Sequence, residues 1–276
     1  MKREKVERRV AGGAGTVKPR LFRHFDDEGV SEAIGTVLVF GIVLTGITII
    51  TVLGMSILNN SKDMNNFQNV EQGLKVVQSD MKRVALEKTP IKTTLIHTEG
   101  GSIYTDMTGS STYVDFPGLS YHNTTGEVSY RMDSGKYVSL QNGGLWLSYG
   151  TNGTDQMVLS PRIFAWPDTG TLVVNVIRLA GTPSSYGGSG TMNIIMEYND
   201  TEQYISPRSG TPQDAKITLD TRYPYAWGRF MQDSLEGFNV DYTVPSPDKV
   251  VITVHGVNQV QVSEHTVSIK PIVYTS

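Results

Sequence analysis

Residues 33–58 contain no aspartate, glutamate, lysine or arginine, and apolar side chains are spread over every face of the run. A helix of roughly 20 residues already crosses a bilayer. A segment this long and apolar all round needs apolar surroundings, and in lipid only helices and closed barrels satisfy their own backbone polar groups. A surface amphipathic helix would need a polar face, which is missing. A buried core helix is the other solution, but such runs are usually shorter.

Charge stands in front of the run. Lys2, Arg3, Lys5, Arg8, Arg9, Lys18, Arg20 and Arg23 are basic, the acidic word DDE leads up to Gly29, and nothing basic follows the run until Lys62. The positive-inside rule then places the N-terminus in the cytoplasm and everything after Asn59 outside. A secretory signal would have an apolar stretch of about 7–15 residues with a small-residue cleavage site behind it. Here the stretch is longer, MSILNNSKD behind it lacks an A-x-A site, and the small residue is in front, at Gly29. A cut between Gly29 and Val30 would remove the charged leader and make the apolar segment the mature N-terminus.

The order basic, acidic, Gly, V-S, I-G, apolar, written here as DDEG-VSEAIG-TVLVF, resembles the class III signal peptides of archaeal type IV pilin-like surface proteins. IGTVLVF at residues 34–40 is similar to the opening of archaellins. The resemblance covers roughly residues 20–88. It implies processing by a prepilin peptidase at Gly29–Val30, or at Ala33–Ile34 if the start is archaellin-like. It also implies an assembly helix in which Ser31, Glu32, Ile34, Gly35, Val37, Phe40, Gly41 and Gly46 meet other pilin-like subunits. Bacterial pilins usually place a glutamate fifth in the mature chain. Glu32 would be third after a cut at Gly29, and a cut after Ala33 would remove it. Gly35, Gly41, Gly46 and Gly54 form no G-x-x-x-G pair.

The helical pattern continues past the apolar run. Phe67, Leu74 and Met81 recur every seven residues, with Val70, Val77 and Val84 between them at the same period. This is a narrow apolar seam on one helix face. Gly54, Gly73 and the polar NNSKDMNN patch are candidate bends, and Thr89-Pro90 ends the pattern. Two partners fit the seam: this chain's own outer domain, or the seams of other subunits. Its shortness for a free-standing coiled coil favours the first.

From Ile91 onward, short alternating segments such as STYVDF, EVSYRM, TLVVNVIRL and VVITVHG lie between Gly, Asn, Ser, Asp and Pro clusters. That is an all-β signature. KYVSLQ-NGG-LWLSYG is the clearest hairpin, with Asn142-Gly143 at its turn. TPSSYGGSG at residues 182–190 reads as a loop. Phe230, Met231 and Leu235 suggest a short helix in a less regular segment. The aromatics Tyr223, Tyr225, Trp227 and Phe230 are either a binding patch or, more simply, core.

The expected fold class is α+β: a long N-terminal hydrophobic helix followed by a mainly antiparallel, β-sandwich-like head. The expected parts are a leader (1–29), a helix (30–89) that is transmembrane to about residue 58 and then an amphipathic stem, and an extracellular β-rich domain (90–276). Asn59, Asn123, Asn152 and Asn199 begin N-glycosylation tripeptides. The chain has no cysteine and a net charge of −3, which removes thiolate sites and any global argument for nucleic acid. His97, His122, His255 and His265 lack metal-ligand spacing, and Ser79-Asp-Met-Lys82 matches S-x-x-K without its companion motifs. No catalytic residue, metal or cofactor is expected. The expected partners are the membrane, a prepilin peptidase and other pilin-like subunits. The expected function is that of a structural pilin-like subunit, a minor pilin or a pseudopilin. The alternative is a monomeric, membrane-anchored β-domain acting as an adhesion or binding module.

Overall fold

The computed structural model describes residues 27–149 and 155–274. The chain divides into two units, Met1–Asn59 and Asn60–Ser276. Helix α1 is assigned over Asp27–Leu86 without a break. None of the candidate bends interrupts it. A single glycine costs a helix only about 1 kcal/mol, and Ile96 side-chain atoms lie 3.4 Å from where a Cβ on Gly73 would stand, so that glycine allows close packing against β1.

In the second unit the strands are β1 (Ile91–Asp106), β2 (Ser111–Phe116), β3 (Leu119–Thr124), β4 (Glu127–Arg131), β5 (Tyr137–Gln141), β6 (Gly144–Ser148), β7 (Gln156–Leu159), β8 (Ile163–Trp166), β9 (Thr171–Ala180) and β10 (Ser184–Ile205). They are followed by β11 (Gln213–Asp220), helix α2 (Pro224–Ser234), β12 (Asn239–Ser246), β13 (Lys249–Val257) and β14 (Gln259–Tyr274). Among the described residues they make a nine-stranded sheet, β7-β6-β5-β4-β1-β10-β14-β9-β8, and a five-stranded sheet, β12-β13-β11-β2-β3. The pairing is antiparallel except between β14 and β9, which run parallel. The fold is α+β, with the long apolar helix first and a mostly antiparallel β domain after it.

Alternation along the strands assigns each face of the large sheet. On β9, Leu172, Val174 and Val176 join Val114, Ile217 and Ile252 of the small sheet in one core. Ile177 and Leu179, of opposite parity, join the seam of α1 in a second core. Strand β6 divides the same way, with Trp146 in the first core and Leu145 and Leu147 in the second. The large sheet is therefore a middle layer between residues 60–86 of α1 and the small sheet.

The Asn142-Gly143 turn joins β5 to β6, and both residues have positive φ, 46° and 69°. Such a turn matches the twist of its strands. Residues 182–190, expected as a loop, lie mostly in β10, where Ser184, Ser185 and Tyr186 pair with Thr105, Tyr104 and Ile103 of β1. Backbone pairing to β1 holds the segment extended despite its weak intrinsic strand preference. A bulge at Gly100-Gly101 of β1 shifts the register there.

Candidate assembly helix

Gly29, Val30, Ser31, Glu32 and Ala33 fall in the first turns of α1, and their side chains lie outside what the structure describes. The apolar part follows directly. All sixteen large apolar side chains from Ile34 to Leu58, Val37 and Phe40 among them, are exposed, the least at 47% and the most at 73%. Burying one such side chain stabilises by roughly 1.5–3 kcal/mol. Leaving all of them in water forfeits tens of kcal/mol, against the about 5–15 kcal/mol that holds a folded domain together. Residues 34–58 are thus an apolar surface that no described part of the chain covers, and this helix is long and apolar enough to cross a membrane.

Three of the five hydroxyl side chains in residues 34–58 are satisfied locally. The hydroxyls of Thr45, Thr48 and Thr51 donate to the carbonyls of Gly41, Leu44 and Ile47, each at 2.8 Å. That arrangement suits a medium that supplies no hydrogen bonds. A Cβ added at Gly35, Gly41, Gly46 or Gly54 would meet nothing within 4 Å. Unlike Gly73, none of these glycines serves packing within the described chain.

The stem half behaves in the opposite way. Phe67, Val70, Leu74, Val77, Met81 and Val84 are at most 3% exposed and form one core with the large sheet. Phe67 and Tyr130 place their rings 6.2 Å apart. Polar contacts fix the register. The Asn66 amide donates to the Tyr130 hydroxyl at 3.2 Å, and its oxygen accepts from the Glu99 backbone at 3.0 Å. Thr94 donates to Asp80 at 2.9 Å. Lys82 donates to the Ser160 carbonyl at 2.7 Å, and burial, reinforced by Arg162, lowers its pKa. The lysine of the S-x-x-K match is thus engaged as a structural donor. The seam's partner is this chain's own sheet.

Of the aromatic cluster, Tyr223, Trp227 and Phe230 are core, with Trp227 stacked on Trp146 at 4.3 Å, and only Tyr225 is exposed. The expected helix around Phe230 is α2, with Leu235 capping its end. The tripeptide asparagines separate. Asn59 is exposed on α1, and Asn199 is exposed at a bulge between β10 and β14. The Asn123 amide instead donates to Glu264 at 2.9 Å, and its oxygen accepts from the Thr124 backbone. Glu264 also accepts from Tyr121 at 2.6 Å. The half-buried Asn123 thus has both of its amide atoms engaged in the folded state. Asn152 lies outside the described residues.

One protein family matches residues 28–270, and its description is a family of unknown function (DUF7289). The matched span takes in the apolar helix and the β domain together. No curated protein and no solved structure matches the chain.

Proposed function

The chain belongs to the DUF7289 family, and we propose that it is a structural pilin-like subunit, of the minor-pilin or pseudopilin kind, of an archaeal cell-surface filament or related assembly. The precursor sits in the membrane through residues 34–58, with the basic leader inside and the β head outside. A prepilin peptidase removes the leader at Gly29–Val30, or at Ala33–Ile34. The freed helix then exchanges lipid contacts for contacts with neighbouring helices, and the heads form the outer surface.

The observation that carries this reading is the division of one helix into two chemistries. Residues 60–86 bury a seam in their own head, so the head does not need the helix of another subunit to complete its core. Residues 34–58 offer apolar side chains and unfilled glycines on all faces. A lone lipid anchor uses that surface only against lipid, whereas a filament core uses it against several partners at once.

The absence of cysteine makes the test clean. Val37→Cys and Val39→Cys placed in one chain lie roughly 200° apart on a 3.6-residue helix. Oxidation in cells with an active prepilin peptidase is expected to give a ladder of disulfide-linked multimers. Monomers with only a trace of dimer would contradict assembly and leave the anchored binding module.

A further inference from the structure

Four strands of the large sheet present a polar face on the side away from α1. Register places Asp106 of β1 opposite Glu127 of β4, and Tyr104 opposite Ser129. Arg131 is opposite Tyr137 of β5, and Ser185 of β10 is opposite Tyr104. Arg222, in the connection between β11 and α2, closes the other side. Together they line a pocket of about 560 Å³.

The connection is anchored. Tyr223 donates to Ser139 at 2.8 Å, Thr221 donates to Gln141 at 2.7 Å, and Gln141 donates to Glu127 at 2.6 Å. Arg222 approaches Glu127 at 3.6 Å. The floor of the pocket is therefore pre-formed, and an organised site loses little on binding.

Two guanidinium groups converge on one ring. The Arg131 guanidinium carbon lies 5.1 Å from the Tyr137 ring centre, and that of Arg222 lies 5.9 Å from it. Arg222 has Glu127 as a partner, but among the described residues Arg131 has no carboxylate within 4.0 Å. Cation–π contact holds a guanidinium in place without neutralising it, so its planar donor fork is left available for a carboxylate. Hydroxyls of Ser129 and Ser185 and the exposed Tyr104 supply further polar contacts.

Charge limits the ligand. Asp106 and Glu127 stand against the two arginines. Burial pushes the Glu127 carboxyl above its usual range, against the opposing pull of Gln141 and Arg222. The surplus is at most about one positive charge, which suits a monoanion better than a phosphate dianion. The remaining hydroxyls and carboxylates match a ligand rich in hydroxyl groups, and the exposed Tyr104 ring offers a flat surface to its apolar face.

From this geometry we infer that the pocket between β1, β4, β5 and the β11–α2 connection binds a carboxylate-bearing sugar residue, the uronate unit of an acidic polysaccharide. The carboxylate sits on Arg131, and the sugar hydroxyls meet the serines and Asp106. This site lies wholly within the β domain and holds whether the helix is an assembly element or a lone anchor.

The test uses the full chain in detergent, titrated calorimetrically with a galacturonate trisaccharide and, separately, with its neutral galactose counterpart. Saturable binding of the acidic sugar is expected, at least tenfold tighter than the neutral one and weakened by salt. Arg131→Gln, an exposed substitution that removes no ion pair, is expected to lose at least tenfold in affinity while melting as the parent does. Three outcomes would overturn the assignment: no saturable binding of the acidic sugar, equal binding of both sugars, or an unchanged affinity in Arg131→Gln.

Discussion

The side-chain amide of Gln78 donates to the backbone carbonyl of Gly143 at 2.7 Å, joining the stem helix to the β5–β6 turn. Both partners are buried. The same turn is held from the other side, where the Ile177 backbone donates to the Asn142 side chain at 2.7 Å. A helix that was only a membrane anchor would need no such contact. Here the stem is part of the domain's interior.

Gln78→Ala removes the donor and leaves the Gly143 carbonyl buried without it. A buried polar group left unpaired costs about 1–3 kcal/mol. Urea unfolding of the detergent-solubilised chain is expected to show a loss of that size, while Gln68→Ala, at an exposed position on the same helix, is expected to stay within about 0.5 kcal/mol of the parent. Equal stability of the two variants would contradict the docked stem.

The small sheet contains a pH-dependent link. His255 of β13 meets Asp214 of β11 at 2.9 Å and Asp241 of β12 at 3.1 Å, one carboxylate on each ring nitrogen. The hydrogen bond to Asp214, followed by that to Asp241, raises the imidazole pKa above its ordinary value. A raised folded-state pKa means that protonation favours the folded state. The contribution is complete below the unfolded value of about 6.5 and is lost as pH rises through the higher folded value. His265 acts in the opposite sense. Burial, then Lys88, lowers its pKa, so its contribution is complete above the unfolded value and is lost as pH falls through the lower folded value. The melting-temperature difference between the parent and His255→Gln isolates the first effect. That difference is expected to be largest on the acid side and to vanish in alkali, and salt is expected to shrink it because the link is exposed. A difference that grows with pH would contradict the assignment.

The tripeptide sites are not equivalent once the chain has folded. Asn199 is exposed at its bulge, whereas Asn123 is held by Glu264 and its own strand. Glycopeptide mass spectrometry of protein from its native membrane is expected to find sugar on Asn199 and none on Asn123. Full occupancy at Asn123 would require the Glu264 contact to be broken.

Much of this organisation was legible because it is local and periodic. The seam from Phe67 to Val84 was readable from heptad spacing, and the Asn142-Gly143 hairpin from turn chemistry, because each signal lies within one element. Residues 182–190 were misread because glycine and serine carry no strand preference. What makes them a strand is β1, about 80–90 residues away in sequence. The proposed sugar pocket left no motif at all. Its residues come from β1, β4, β5, β10 and the β11–α2 connection; sheet register brings Arg131 to Tyr137, and the anchored connection brings Arg222 there. The long helix was legible as well, because the apolar run and the seam continue one helical pattern, and the candidate bends did not interrupt it since a glycine permits a break without requiring one.

The central claim is that the helix is freed from its leader so that it can assemble. N-terminal sequencing of the mature protein from native membranes tests it directly. The account predicts a start at Val30, or at Ile34 if processing is archaellin-like. A chain that retains its leader in cells with an active prepilin peptidase would contradict it and leave a membrane-anchored β domain.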